Sequence, residues 1–159
     1  MKVQLVAVGN KMPAWVQTGF DEYAKRLPKE LCPKVSEIAV AQRGKSTLKS
    51  NALAQIKAQE GQAILGVIPK QSRKIMLDLG GKPWSTQALS QKLSSWMMDG
   101  DDLAFVIGGP DGLSKECLAQ ADDKWALSPL TLPHPLVRVV WIEQMYRAWT
   151  ILQNHPYHK

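Results

Sequence analysis

Residues 3–8, VQLVAV, form a short apolar run that stops at Gly9, the pattern of a buried strand. From Trp15 to Leu27 the apolar positions recur at helical spacing, and Pro28, which has no backbone N–H to give, ends that helix. Residues 35–41 predict a second strand, and the polar stretch Gln42 to Ser50 a loop whose Arg43-Gly44-Lys45 suits gripping a phosphate backbone. Residues 48–60 predict a helix capped at its far end by Gly61. Strand and helix then alternate: strand 74–79, helix 86–98, strand 103–107, helix 114–121, a short strand at 125–128, a proline-rich loop and a long helix over 136–153. Such alternation predicts an α/β fold with a mainly parallel sheet flanked by helices.

The last helix is apolar over most of its circumference, through Leu136, Val137, Val139, Val140, Ile142, Met145, Tyr146, Trp149 and Leu152. A helix with one side in water does not need that width, so this one is either central to the domain or part of a subunit interface. Most of the six tryptophans are expected in the same places, in core or interface.

Length and composition narrow the class. A chain of 159 residues, 45% hydrophobic, is of single-domain size and can bury a core without disulfides or metals. Cys32 and Cys117 lie far apart and lack CxxC spacing, which fits a reduced, cytoplasmic protein. The N-terminus lacks the cleavage site of a signal peptide, and no segment reaches the roughly 20 apolar residues that cross a bilayer, so no membrane association is expected. Residues 1–60 carry 10 Lys and Arg against 5 Asp and Glu, whereas residues 61–159 carry 10 against 9. The front-loaded excess, at Lys25, Arg26, Lys29, Lys34, Arg43, Lys45 and Lys49, fits a phosphate-contacting face as well as an ordinary solvated surface.

Glycines and prolines cluster where strands are predicted to end: LDLGGKPW at 77–84, VIGGPDG at 106–112 and LSPLTLPHPLVR at 127–138. Ligands bind open α/β sheets beyond the carboxyl ends of their strands, so these loops are the candidate pocket. GGPDG taken alone is a tight turn. There is no GxGxxG after the first strand, no P-loop, no HExxH and no nucleophile elbow. Neither a dinucleotide nor a metal site is suggested, and chemistry is left to a bound cosubstrate.

These loops and the chain ends together carry a resemblance. LVAVGNKMPAWVQTGFDEYAKRLP, LDLGGKPW, FVIGGPDGLS, LSPLTLPHPLVRVVWIEQMYRAW and the terminal NHPYHK are similar, in one register, to the RlmH family of SPOUT-class methyltransferases, which methylate N3 of pseudouridine 1915 in 23S ribosomal RNA. The match is weakest from about Pro33 to Ser72. The resemblance implies one SPOUT domain over 1–159 with a C-terminal trefoil knot, the cofactor-binding knot spanning about 75–159. It also implies S-adenosylmethionine as methyl donor with no metal, a homodimer, and 23S ribosomal RNA within the 70S ribosome as partner. On that pattern Leu77, Gly108, Leu127, Ser128, Pro129, Leu130, Thr131 and Leu132 line the cofactor site.

Methyl transfer to N3 needs alignment of nucleophile, methyl and leaving sulfur, and the N3 proton must depart. His134 and Arg138 share a face if the last helix has begun by residue 134. His134 is a candidate for proton transfer or for a structural hydrogen bond, and Arg138 for holding a phosphate or developing charge, or for a salt bridge to Glu143 or to a partner subunit. The resemblance also implies that Tyr157 and His158 complete the active site across the dimer, with His158 a second candidate base. Other readings are a SPOUT enzyme acting elsewhere on RNA, a noncatalytic RNA-binding module and a small-molecule enzyme.

Overall fold

The computed structural model describes residues 1–42 and 50–158. Five parallel strands make one sheet: β1 (Val3–Val8), β2 (Lys34–Ile38), β3 (Arg73–Pro83), β4 (Leu103–Ile107) and β5 (Asp123–Ala126), in the order β2-β1-β4-β3-β5. The helices are α1 (Ala14–Ala24), α2 (Ser50–Val67), α3 (Thr86–Asp99), α4 (Lys115–Ala119) and α5 (His134–Leu152), and a 3₁₀ turn closes the chain at Pro156–His158.

Alternation of side chains along the central strands sorts the core onto two faces. Leu5 and Ala7 of β1, Ile75 of β3 and Phe105 and Ile107 of β4 pack with Phe20, Leu93, Trp96 and Trp141 from α1, α3 and α5. Val6 and Val8, Met76 and Val106 face the other way, onto Ile64 of α2, Ile68 just beyond it and Cys117 of α4. The sheet is therefore covered on both sides, as a parallel sheet requires. Trp96, Trp125 and Trp141 lie in the core and Trp84 and Trp149 are half-buried, whereas Trp15 is exposed. Among the described residues no helix is long and apolar enough to cross a membrane.

Several predicted boundaries move. α1 ends at Ala24, and turns with Leu27 N–H bonded to Ala24 and Leu31 N–H to Pro28 carry both leucines into the core. β2 stops at Ile38, and β3 continues to Pro83 through an irregularity between Leu77 and Lys82. The predicted cap at Gly61 is wrong, because α2 runs through it to Val67. Gly61 is instead the point where α2 meets the start of α4: a Cβ there would lie 2.6 Å from Ser114 Oγ. The Arg43-Gly44-Lys45 loop, Lys49 and Lys159 lie outside the described residues.

α5 begins at His134, two residues earlier than its apolar pattern indicated, with Pro135 in its first turn. It buries Trp141, Ile142, Met145, Tyr146 and Ala148 and lies between α1 and α3. Gly19 of α1 faces Val139, 3.5 Å from where a Cβ would stand. The apolar circumference thus reflects a helix flanked on two sides by others.

Candidate active site

Leu77 of β3 pairs with Ile107 of β4 on one side and Trp125 of β5 on the other, so the loops that follow these strands open on the same edge. Between them lies a cleft of about 830 Å³. Its walls are Leu77, Asp78 and Leu79, then Ile107 to Gly112, then Leu127, Ser128 and Leu130 to Pro133, closed by His134 and Val137 at the start of α5. Every residue expected at the cofactor site lines it except Pro129.

The turn at 108–112 is closed by Gly112 N–H donating to the Gly109 carbonyl at 3.0 Å. A Cβ on Gly108 would stand 2.9 Å from the Gly112 carbonyl carbon, and backbone cannot move aside as a side-chain tip can. Beyond the turn, Ser114 Oγ accepts from Cys117 N–H and caps α4. In the facing loop Ser128 Oγ accepts from Leu130 N–H at 3.0 Å, holding its bend. The cleft is mostly aliphatic, with backbone groups at the turn and the carboxylates of Asp78 and Asp111 among its lining.

The first turn of α5 does bring His134 and Arg138 onto one face. Arg138 Nε donates to His134 Nε2 at 3.0 Å, its Nη2 donates to the Gly9 carbonyl at 2.7 Å, and its Nη1 pairs with Glu37 Oε2 at 3.0 Å. Arg138 is 5% exposed, a buried cation held by two groups at strand ends, the Gly9 carbonyl and the Glu37 carboxylate, and by the His134 ring from its own helix. Its carboxylate partner is Glu37, not Glu143. The other ring nitrogen of His134, Nδ1, is 3.3 Å from the Gly108 carbonyl. Burial, then the nearby Arg138 charge, hold the His134 imidazole below its ordinary pKa.

Tyr157 and His158 are elsewhere in the same chain. Tyr157 donates its hydroxyl to Glu143 Oε1 at 3.0 Å, packs edge-on against Tyr146, and lies under the Arg147 guanidinium. Burial, then the bonds to Glu143 and Tyr23, raise its phenol pKa, so the proton stays on the oxygen. Glu143 is nine residues along α5 from His134, about 14 Å at the helical rise, and none of the described tail residues lines the cleft. His158 Nδ1 is buried and has no hydrogen-bond partner among the described residues.

Of the basic residues of the first third, Lys25 and Arg26 both pair with Glu22, while Lys29 and Lys34 are exposed. Among the described residues no group of three or more His, Cys, Asp or Glu side chains is placed to hold a metal ion.

Comparison with known proteins decides the family. A family model described as "Predicted SPOUT methyltransferase" matches residues 1–158. The chain is 62% identical over 159 residues to the Ribosomal RNA large subunit methyltransferase H of Saccharophagus degradans, covering 100% of both. It belongs to the RlmH family of SPOUT methyltransferases. The protein of the same name from Teredinibacter turnerae is 56% identical over 162 residues, again with 100% of both chains covered. Among solved structures, a "probable rRNA-methyltransferase" of Porphyromonas gingivalis matches with a TM-score of 0.55 at 11% identity, over 95% of this chain and 69% of that one, a likeness of fold.

Sequence reasoning missed three members of this RlmH-family site. Glu37 reaches it only because β2 lies beside β1, and Gly9 contributes a carbonyl. Glu60, 3% exposed on α2, puts its carboxylate behind the glycine turn, 3.1 Å from where a Gly109 Cβ would be. An isolated glutamate in a strand or helix carries no signal; only the strand order brings these groups together.

Proposed function

We propose that the protein transfers a methyl group from S-adenosylmethionine to N3 of pseudouridine 1915 in 23S ribosomal RNA, on the assembled ribosome and as a homodimer. The observation that carries this is the cleft at the carboxyl edge of β3, β4 and β5. Its volume of about 830 Å³ is within the range of small-molecule sites, and aliphatic walls with backbone groups at one glycine turn suit an adenine ring and its polar edge. The activity named for the relatives that the chain matches from end to end supports ribosomal RNA as substrate. S-adenosylmethionine, when bound, supplies an electrophilic methyl on a sulfonium.

The chain's own residues supply alignment and proton handling. Leu77, Gly108 and the 127–132 loop would hold the donor, and the base to be methylated would enter over the rim. Of the two histidines His158 is the better candidate to accept the proton, since both nitrogens of His134 are engaged. The tail docks too far from its own cleft, so Tyr157 and His158 would serve the cleft of a second copy. Leu79 and Leu130, 65% and 69% exposed at the cleft, support such a cover. We further propose a single SPOUT domain over 1–159 with a trefoil knot within about 75–159, a cytoplasmic location, and RNA contact through exposed cations such as Lys29 and Lys34.

The test is transfer of labelled methyl from S-adenosylmethionine to ribosomes lacking the modification, with mass-spectrometric mapping of the product. The expected result is methyl on N3 of pseudouridine 1915, with stripped 23S RNA a poor substrate. Deleting Tyr157 to Lys159 should abolish transfer and leave donor binding intact. Mixing that deletion with a Gly108→Val variant should restore about a quarter of the activity, because randomly paired copies contain one intact composite site in half of the dimers. Methyl at another RNA position would move the substrate assignment, and donor binding without transfer would favour a noncatalytic RNA-binding role.

A further inference from the structure

We propose that Glu37 is a positioning residue of this site: acting through Arg138, it fixes His134 as the Nδ1–H tautomer, which holds the Gly108 carbonyl at the donor cleft and takes no part in proton removal. The inference rests on the proposed reaction for its kinetic consequence, but its structural content stands independently.

The tautomer follows from what each partner can do. A guanidinium has five N–H donors, no acceptor and no accessible deprotonated form. At 3.0 Å from Arg138 Nε, His134 Nε2 must therefore present its lone pair. The neutral ring then carries its hydrogen on Nδ1, and the group facing Nδ1 at 3.3 Å is a carbonyl, which can only accept. Both contacts require the same tautomer. A doubly protonated ring would aim an N–H at the guanidinium, and the opposite tautomer would set lone pair against lone pair at Gly108. His134 in this arrangement has no lone pair left to receive a substrate proton.

The relay begins at Glu37. Arg138 is nearly sealed, its side chain 6% exposed, and a buried guanidinium stripped of its counter-charge is costly. Glu37 is the carboxylate paired with it; Glu143 is taken up by Arg147 and Tyr157. Glu37 reaches Arg138 from β2, while Arg138 also grips the carbonyl at the end of β1 and, through His134, the end of β4. One guanidinium thereby sets the spacing of three strand ends, and the last of them, Gly108, lines the cleft. The Glu37 side chain is 41% exposed, so Glu37→Gln removes the charge without opening a cavity.

The experiment combines imidazole ¹⁵N NMR with steady-state kinetics on the full chain. Wild-type His134 should give a pyrrole-type Nδ1 and a pyridine-type Nε2 at pH 7.5. In Glu37→Gln the two signals should move toward a tautomer mixture. KM for S-adenosylmethionine should rise about 10-fold, the order of one hydrogen bond lost and set in opposition, with KM for the ribosome unchanged. Glu37→Asp should recover part of the loss. A merely structural role would lower the melting temperature and the active fraction without splitting the two KM values. An Nε2–H signal in the wild type, or Glu37→Gln with wild-type spectrum and KM, overturns the relay. Absence of any methyl transfer by the wild-type protein would instead overturn the reaction, and the spectrum would still decide the tautomer.

Discussion

Replacing Gly61 by alanine should destabilise the protein, although alanine is the better helix former. In a helix interior the exchange gains about 1 kcal/mol, and α2 continues six residues beyond Gly61. Against that gain stands the start of α4. The added Cβ would be 2.6 Å from Ser114 Oγ and 3.3 Å from Cys117 Cβ. Ser114 is buried and its hydroxyl caps α4 through Cys117 N–H at 3.1 Å, so turning it away forfeits a cap of about 1 kcal/mol. The crowding that remains at Cys117 belongs to overpacking, at about 1–3 kcal/mol. The sum is a net loss of about 1–3 kcal/mol, a fall in melting temperature of roughly 2–12 °C for a chain of this size. Gly66, in the same helix, has nothing within 4 Å of its would-be Cβ, so Gly66→Ala should be neutral or stabilising by up to about 1 kcal/mol. Calorimetric melting of both variants at one protein concentration decides the matter. A Gly61→Ala protein as stable as wild type would refute the close approach of α2 and α4, and with it the account of why this helix runs through a glycine.

Gly108→Ala should lower affinity for S-adenosylmethionine at least about 10-fold in titration calorimetry, because the clash is with backbone at 2.9 Å; unchanged affinity would remove this turn from the donor site. His134 is held below its ordinary value of 6.5 chiefly by burial, so below about pH 6.5 the unfolded chain binds the extra proton and the folded one does not. This contribution to stability is complete above that pH and is lost as the pH falls, until the lowered folded value is reached; urea midpoints between pH 7.5 and 5 should show the slope, and His134→Gln should flatten it. Burial pushes the Cys117 thiol up to about 11 while Cys32 is exposed, so a thiol reagent at pH 8 should titrate one cysteine in the native protein and both in guanidinium. Two fast-reacting thiols in the native state would mean that α4 does not stay packed on α2.

The parallel sheet was legible because its inner strands are short apolar runs divided by helical periodicity. VQLVAV and LAFVI were placed at their observed limits, since strands buried on both faces leave no ambiguity of side. The less certain ends were those that packing sets. Apolar Val40 and Ala41 extended the pattern of β2, yet the ladder with β1 ends at Ile38, where Gly9 N–H takes the last carbonyl. Glycine was read as a stop at 61 from its conformational habit alone. What selects it there is a side chain about fifty residues later in the sequence, and no local pattern reports that.

The site divides along the same line. Its backbone-built half, the glycine turn and the proline-rich loop, announces itself because glycine and proline mark unusual backbone in the sequence itself. The polar half needs the fold. Spacing alone put His134 and Arg138 four residues apart and so on one face, but it could not say that the pair faces inward, or that the counter-charge is Glu37 rather than the nearer Glu143. Nearness in sequence would even favour the wrong partner, since residues 138 and 143 are only five apart, although five residues turn a helix by about 140° and so put the two on different faces. The choice is made by burial: Arg138 lies under the strand ends, where Glu37 and the Gly9 carbonyl can reach it, while Glu143 faces Arg147 and the tail. A histidine next to such an arginine reads in sequence as a base beside an anion holder. In the fold the arginine consumes the histidine's lone pair, and in the proposed reaction the proton would go instead to His158, the other candidate base.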